Sequence, residues 1–218
     1  MSWLSLLGIW AGLISANVAQ DLAVDYGAAR IWLLDVDVER SLYTWFSQLL
    51  LALVALLLFD TGAKMRRAER FVASQWLALS AIFVLLSIDE ALSLHEIASQ
   101  RLSEAIPTSG FLMFAWVVPA AAVCLLGLAA ATPFLLRLPG RVRMLMLLSA
   151  ALFLGGAVGM EMVGGKILSD FGGDASALPY RVAVAVEEGL EGLGVLVFLY
   201  SHLLYRRTEA LRPLLQQV

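Results

Sequence analysis

Residues 41–60 read SLYTWFSQLLLALVALLLFD and carry no charged side chain before the closing aspartate, Asp60. A helix rises about 1.5 Å per residue, so it needs about 20 mostly apolar residues to cross a hydrocarbon core about 30 Å thick. This stretch has that length, and Tyr43 and Trp45 near its start are typical of the aromatic belt at a membrane surface. The stretch therefore predicts a membrane-spanning helix.

Five further stretches have the same apolar character, and short connections join all six. The chain of 218 residues is 61% hydrophobic and 15% charged, whereas a soluble domain is about half apolar and a quarter charged. Its mean hydropathy is +0.83. We therefore predict an all-α fold, a polytopic transmembrane helix bundle that forms one domain over residues 1–218. The predicted spans lie at about 3–19, 41–60, 71–96, 110–136, 142–166 and 181–204, with a kink at Pro119.

The first span resembles the apolar part of a signal peptide, but its flanks do not. No Lys or Arg precedes it, and Asn17 occupies a position where a cleavage site needs a small residue. We therefore expect this span to be retained.

The basic residues are divided unequally between the two ends of the predicted spans. Of the 15 Lys and Arg residues, ten lie at one set of ends and five at the other. Lys and Arg concentrate on the cytoplasmic side of membrane proteins, so both termini are predicted to be cytoplasmic. The ten residues are Lys64, Arg66, Arg67, Arg70, Arg137, Arg141, Arg143, Arg206, Arg207 and Arg212.

Three predicted spans carry acidic residues at the ends opposite to this basic set. The third and fifth spans run outward and the sixth runs back, so these ends meet at the outer face. On an ideal helix Asp89, Ser93 and Glu96 share one face, and so do the three glutamates that begin the sixth span. Crowded carboxylates in a poor dielectric need protons or a bound cation. The candidate ligands of a divalent metal ion are Asp89, Glu96, Glu161, Glu187 and Glu191, with His95 and Glu188 next.

The types of ligand limit the choice of metal. Carboxylates with one imidazole suit Mn, Fe, Zn or Ca rather than copper(I). The chain lacks the Glu-x-x-His pairs of di-iron carboxylate bundles. One interpretation is a metal-dependent enzyme that acts on a lipid or small apolar substrate at the outer leaflet.

Other cofactors and partners lack support in the sequence. A bis-histidine haem is not indicated, because His95 and His202 fall at opposite membrane faces. A nucleotide is not indicated either, because there is no Gly-rich phosphate loop, and the small net charge of -3 gives no indication of a nucleic-acid partner.

Two other classes of function stay open. A proton- or cation-coupled transporter or channel would use a path along the sixth span from Glu191 to His202, although the residues from Val195 to Leu199 are all apolar. An accessory or assembly subunit would use the acidic outer face to bind a membrane-protein partner, or would form a homo-oligomer.

The acids of the first outer loop are interpreted as solvated surface charge. They are Asp21, Asp25, Asp35, Asp37 and Glu39. They lie outside the apolar runs, so nothing in their spacing indicates a shared site.

Three segments of the chain stand out as motifs. They are Tyr43-Thr44-Trp45-Phe46-Ser47, Leu86-Ser87-Ile88-Asp89-Glu90 with His95-Glu96, and Glu187-Glu188-x-x-Glu191. Together they resemble a group of uncharacterised bacterial multi-pass membrane proteins, and the resemblance covers most of the chain. It implies a location in the bacterial inner membrane, in contact with the lipid bilayer, and it implies no activity.

Overall fold

The structure is a computed structural model that describes residues 2–105 and 108–215, with side chains described as far as Glu209. The described residues form helices and turns, and none of them lies in a strand. A π-helical segment, Gly155–Met160, joins α6 to α7 without a break. The α-helices are α1 (Trp3–Asp25), α2 (Leu42–Met65), α3 (Arg70–Leu92), α4 (Leu94–Ala105), α5 (Val117–Leu135), α6 (Gly140–Leu154), α7 (Glu161–Asp170) and α8 (Leu178–Leu215).

Within the described part of the chain, five helices are long and apolar enough to cross a membrane. The all-helical prediction is confirmed, and the chain suits a lipid bilayer. A sixth span is not confirmed, because three glutamates and His202 reduce the hydropathy of α8. The five are Trp3–Asp25, Leu42–Met65, Arg70–Leu92, Val117–Leu135 and the continuous helix Gly140–Asp170.

The central helix of the bundle is α8, which packs against α1, α2, α6, α7 and the π-helical segment. Its buried Leu196 joins Leu58 of α2 and Trp76 of α3 in the main hydrophobic core. Gly194 lets α6 approach closely, because a Cβ there would lie 2.8 Å from the backbone nitrogen of Phe153. A helix surrounded by protein rather than lipid can carry acidic side chains at a lower cost in free energy.

The prediction of one continuous helix over 71–96 is wrong. Helix α3 ends at Leu92, because Ser93 adopts a left-handed conformation with φ of 46°. The Ser93 amide donates to the Asp89 carbonyl at 2.7 Å, and its hydroxyl donates to the carboxylate of Glu39. The predicted shared face of Asp89, Ser93 and Glu96 does not exist, since the chain turns between them.

The fourth and fifth spans also differ from their predicted bounds. Helix α5 begins only at Val117, so Pro119 lies in the first turn, where no helical hydrogen bond is lost. Proline therefore interrupts α5 only at Pro133, near its end. The fifth span is longer than 142–166, because the helix runs for 31 residues from Gly140 to Asp170.

The loop between α1 and α2 is fixed by buried ion pairs. Asp21 is 2% exposed and Asp35 is 5% exposed, so interpreting these two acids as surface charge was wrong. Arg30 lies 3.2 Å from Asp21 and also pairs with Asp35. Arg181 of α8 reaches the same oxygen of Asp21 at 3.2 Å, and Asn17 donates to the other oxygen at 2.9 Å. The network joins α1, the loop and α8.

Candidate functional site

A cavity of about 460 Å³ lies between α4, α7 and the start of α8. Its volume falls in the range of about 300–1,000 Å³ that is usual for small-molecule sites. One part of the wall is apolar and includes Met113, Phe114, Tyr180 and Val184. The acidic part consists of Asp37, Glu96, Glu161, Glu187 and Glu188, beside His95.

Helix length places this cavity at one end of the bundle. Glu161 follows Gly140 by 21 residues in a continuous helix, which corresponds to about 30 Å. We call the end of the bundle that holds the cavity the acidic face. The opposite end, formed by the α2–α3 and α5–α6 turns, is the basic face.

Two carboxyl groups meet inside the cavity. The carboxyl groups of Glu161 and Glu187 both line this cavity, and the indole nitrogen of Trp116 donates to Glu161 at 3.2 Å. Gly156 lets the π-helical segment approach α8 closely, because a Cβ at this position would lie 2.7 Å from the carbonyl oxygen of Glu187. Two carboxylates at one cavity wall repel each other, so a proton or a cation stabilises the pair.

The break at Ser93 creates a second pair. The His95 amide donates to Asp89 Oδ1 at 2.9 Å, and His95 Nδ1 lies 2.8 Å from Asp89 Oδ2. The Trp116 ring packs against the imidazole with a centroid distance of 5.2 Å. Because Asp89 occupies Nδ1, Nε2 is the nitrogen that His95 offers to the cavity.

Comparison with known proteins adds one fact. A family model described as a domain of unknown function, DUF8692, matches residues 1–205. The chain belongs to this family. The prediction of an uncharacterised family is thereby confirmed, and the match includes every residue named in the cavity. No curated protein and no solved structure matches this DUF8692 chain.

The imidazole of His95 in this DUF8692 protein is held in its charged form. Burial by itself lowers its pKa, but the hydrogen bond and charge of Asp89, with Glu161 and Glu96, raise the pKa to about 9. The pair therefore stabilises the fold fully below the ordinary histidine pKa of 6.5. That contribution is lost as the pH rises through about 9.

Replacing Asp89 with asparagine is expected to move the pKa of His95 down towards 6.5, because the substitution removes the paired charge. Histidine NMR of the protein in detergent measures this directly, since the chain has only 2 histidines and His95→Gln assigns the signal. An unchanged titration midpoint in Asp89→Asn would contradict the pairing.

Two carboxyl groups at the cavity wall have raised pKa values, although both side chains remain partly exposed. Partial removal from water and the charge of Asp35 raise the pKa of Asp37 to about 6. Partial removal from water also raises the pKa of Glu96, an effect that His95 opposes. Asp37 was not among the predicted ligands, because no helical spacing relates a loop residue to the spans.

The structure distributes the seven predicted ligands over distinct positions. His95, Glu96, Glu161, Glu187 and Glu188 line the cavity, while Asp89 lies behind His95 and Glu191 packs against Gly156. Among the described residues, no group of three or more His, Cys, Asp or Glu side chains is arranged to hold a metal ion. The divalent metal stays a prediction for this DUF8692 chain.

His202 lies in the core of the bundle, with 0% of its surface exposed. The Thr61 hydroxyl donates to the Leu57 carbonyl at 3.0 Å, so Thr61 accepts a hydrogen bond from His202 Nε2 at 3.1 Å. The Trp76 ring lies 4.9 Å from the imidazole, centroid to centroid. This is the environment of a core histidine, and the role of His202 in a proton path stays a prediction.

Proposed function

We propose that this protein binds a cation in the acidic cavity. The excess of carboxyl groups supports the proposal: five line the cavity, and no Lys or Arg of the described residues does so. The positive charge of His95 is already paired with Asp89. Carboxylates that share one cavity and are partly removed from water need protons or a cation to balance their charge.

The shape and lining of the cavity favour an organic ammonium ion over a directly coordinated metal ion. A volume of about 460 Å³ accommodates a small organic molecule. The rings of Phe114 and Tyr180 line it, and aromatic faces attract cations. Ser99 and Gln100 offer oxygen atoms to ammonium N–H groups. The alternative occupant of the cavity is a divalent metal ion that keeps part of its water shell.

The charge distribution supports an assignment of the cavity to one side of the membrane. From Glu187 to Arg206, α8 is about 28 Å long, which suits a sixth span in the bacterial inner membrane. The excess of Lys and Arg assigns the basic face to the cytoplasm, so the cavity opens on the outer side. A cysteine at Ala175, with Cys124 replaced by alanine, should react with a membrane-impermeant maleimide in intact cells. Labelling of a cysteine at Ala68 instead would reverse the orientation.

Thermal unfolding in mild detergent tests the cation proposal with a matched pair of probes, phenethylammonium chloride and uncharged 2-phenylethanol. We expect only the ammonium ion to raise Tm, because only it balances the carboxylates. Glu161→Gln/Glu187→Gln keeps the shape of the site and should weaken binding at least tenfold, since hydrogen bonds to charged groups contribute about 1.5–3 kcal/mol each.

The control removes two exposed carboxylates outside the cavity, at Glu104 and Asp170, and should keep the wild-type response. Elemental mass spectrometry of the purified protein, with and without a chelator, tests the metal form. Stoichiometric Mn, Fe, Zn or Ca that is absent from Glu161→Gln/Glu187→Gln would identify a metal ion as the occupant. The absence of both a metal and an ammonium response would refute the proposal.

A further inference from the structure

The two turns of the basic face lie side by side. The guanidinium carbon of Arg137, after α5, lies 4.3 Å above the ring of Phe71 at the start of α3. One helical turn deeper, Trp76 and Phe134 meet edge to face at 5.0 Å. The arginines that flank both turns therefore lie at the same end of the bundle, and we call this group the arginine patch. They are Arg66, Arg67, Arg70, Arg137, Arg141 and Arg143.

The arginines of this patch are not ion-paired with carboxylates of the described residues. Across residues 2–105 and 108–209, none of the six arginines forms an ion pair. The neighbouring Lys64 and Arg206 differ, because both pair with Asp60, at 2.8 and 2.9 Å. Glu69, within the α2–α3 turn, is the acid closest in sequence. Five of the six arginines are exposed, so the patch is available to an anion.

We propose that the arginine patch binds the phosphate group of an anionic phospholipid. The patch extends from the ends of α2 and α5 into the first turns of α3 and α6, which begin at Arg70 and Gly140. It therefore lies at the ends of four candidate spans, the level of lipid headgroups. Planar guanidinium groups bind phosphate through paired hydrogen bonds, and basic surfaces at membrane helix ends attract anionic lipids.

Apolar side chains beside the arginines favour a lipid over free phosphate. Leu136 is 65% exposed and precedes Arg137, and Phe71, which follows Arg70, is 38% exposed. They offer an acyl chain contact directly beside the phosphate-binding groups. The patch lies at the opposite end of the bundle from the acidic cavity, so this binding is independent of the cation proposal.

Native mass spectrometry in detergent, with dioleoylphosphatidylglycerol and dioleoylphosphatidylcholine as probes, tests the inference. Wild type should bind phosphatidylglycerol more tightly than phosphatidylcholine. Arg70→Gln/Arg137→Gln/Arg141→Gln should bind phosphatidylglycerol roughly 100-fold more weakly, at about fivefold for each arginine near a lipid surface. Detergent micelles have no sidedness, so membrane orientation does not affect the result.

The matched control is Arg40→Gln/Arg101→Gln/Lys166→Gln, which makes the same change of charge at the acidic face and should keep wild-type affinity. If the patch variant does not fold, Arg141→Gln alone alters one exposed side chain and should bind about fivefold more weakly. Equal binding of the two lipids by wild type, or wild-type affinity in the patch variants, would overturn the inference.

Discussion

Replacing Arg181 with methionine is expected to lower the free energy of unfolding by about 3–5 kcal/mol, the usual result of breaking a buried ion pair. Arg181 is 5% exposed and lies 3.2 Å from the Asp21 carboxylate. It also contacts Asp25 at 2.5 Å and donates to the Ser176 carbonyl. Its loss leaves the buried carboxylate of Asp21 without one of its two cationic partners, and removes contacts between α1 and α8.

Unfolding in a denaturing detergent, followed by tryptophan fluorescence, measures the change. Arg40→Met is the control, because Arg40 is exposed and substitutions of this kind usually change stability by less than about 0.5 kcal/mol. An equal effect of the two substitutions would show that the network around Asp21 does not stabilise the fold.

Replacing Gly156 with alanine is expected to lower stability by about 1–3 kcal/mol, as overpacking of a tight interface does. The added Cβ would lie 2.7 Å from the Glu187 carbonyl oxygen and 3.2 Å from the Glu191 amide nitrogen. Both are backbone atoms, which cannot rotate away as a side chain can. The π-helical segment would have to move from α8, and Glu161 would move with it. We therefore expect weaker cation binding as well.

Gly159→Ala is the matched control, because it lies in the same π-helical segment and its Cβ would meet nothing closer than the Leu154 carbonyl oxygen at 4.0 Å. This substitution should be neutral or stabilise by about 0.4–1 kcal/mol, since alanine restricts the unfolded chain. The same response in both variants would mean that close approach to α8 does not explain the glycine at 156.

The sequence was sufficient to predict the features that depend on local hydropathy and on the alternating direction of successive spans. Runs such as 41–60 predict helices because each segment carries its own apolar surface. The alternating direction of the spans predicts that His95, Glu161 and Glu187 lie at the same end of the bundle. In the structure all three line one cavity.

Features that depend on tertiary partners were beyond the sequence. The spacing of 71–96 favours an uninterrupted helix, and the turn at Ser93 is stabilised by Glu39 from a distant loop. Burial of Asp21 depends on Arg181, 160 positions further along the chain. The pattern of hydrophobic residues gives no information about such a distant partner. An acidic residue beside a span therefore cannot be distinguished from surface charge until the packing of the helices is known.

The arrangement separates two electrostatic environments in one small bundle. Carboxyl groups of α4, α7 and α8 surround a cavity at one face, while arginines of two adjacent turns cover the other. The central position of α8 permits this separation, because its acidic first half contacts other helices, where acidic side chains cost less free energy than in lipid. The proposed binding of a cation at one face and of anionic lipid at the other rests on this separation.

Isothermal titration calorimetry with phenethylammonium chloride tests the central claim, cation binding in the acidic cavity, most directly. Purified wild-type protein in mild detergent should show one saturable site. Glu161→Gln/Glu187→Gln should bind at least tenfold more weakly, because it removes two carboxylates that line the cavity. No saturable heat in wild type, or equal affinity in the two proteins, would contradict the assignment of this cavity to an organic cation.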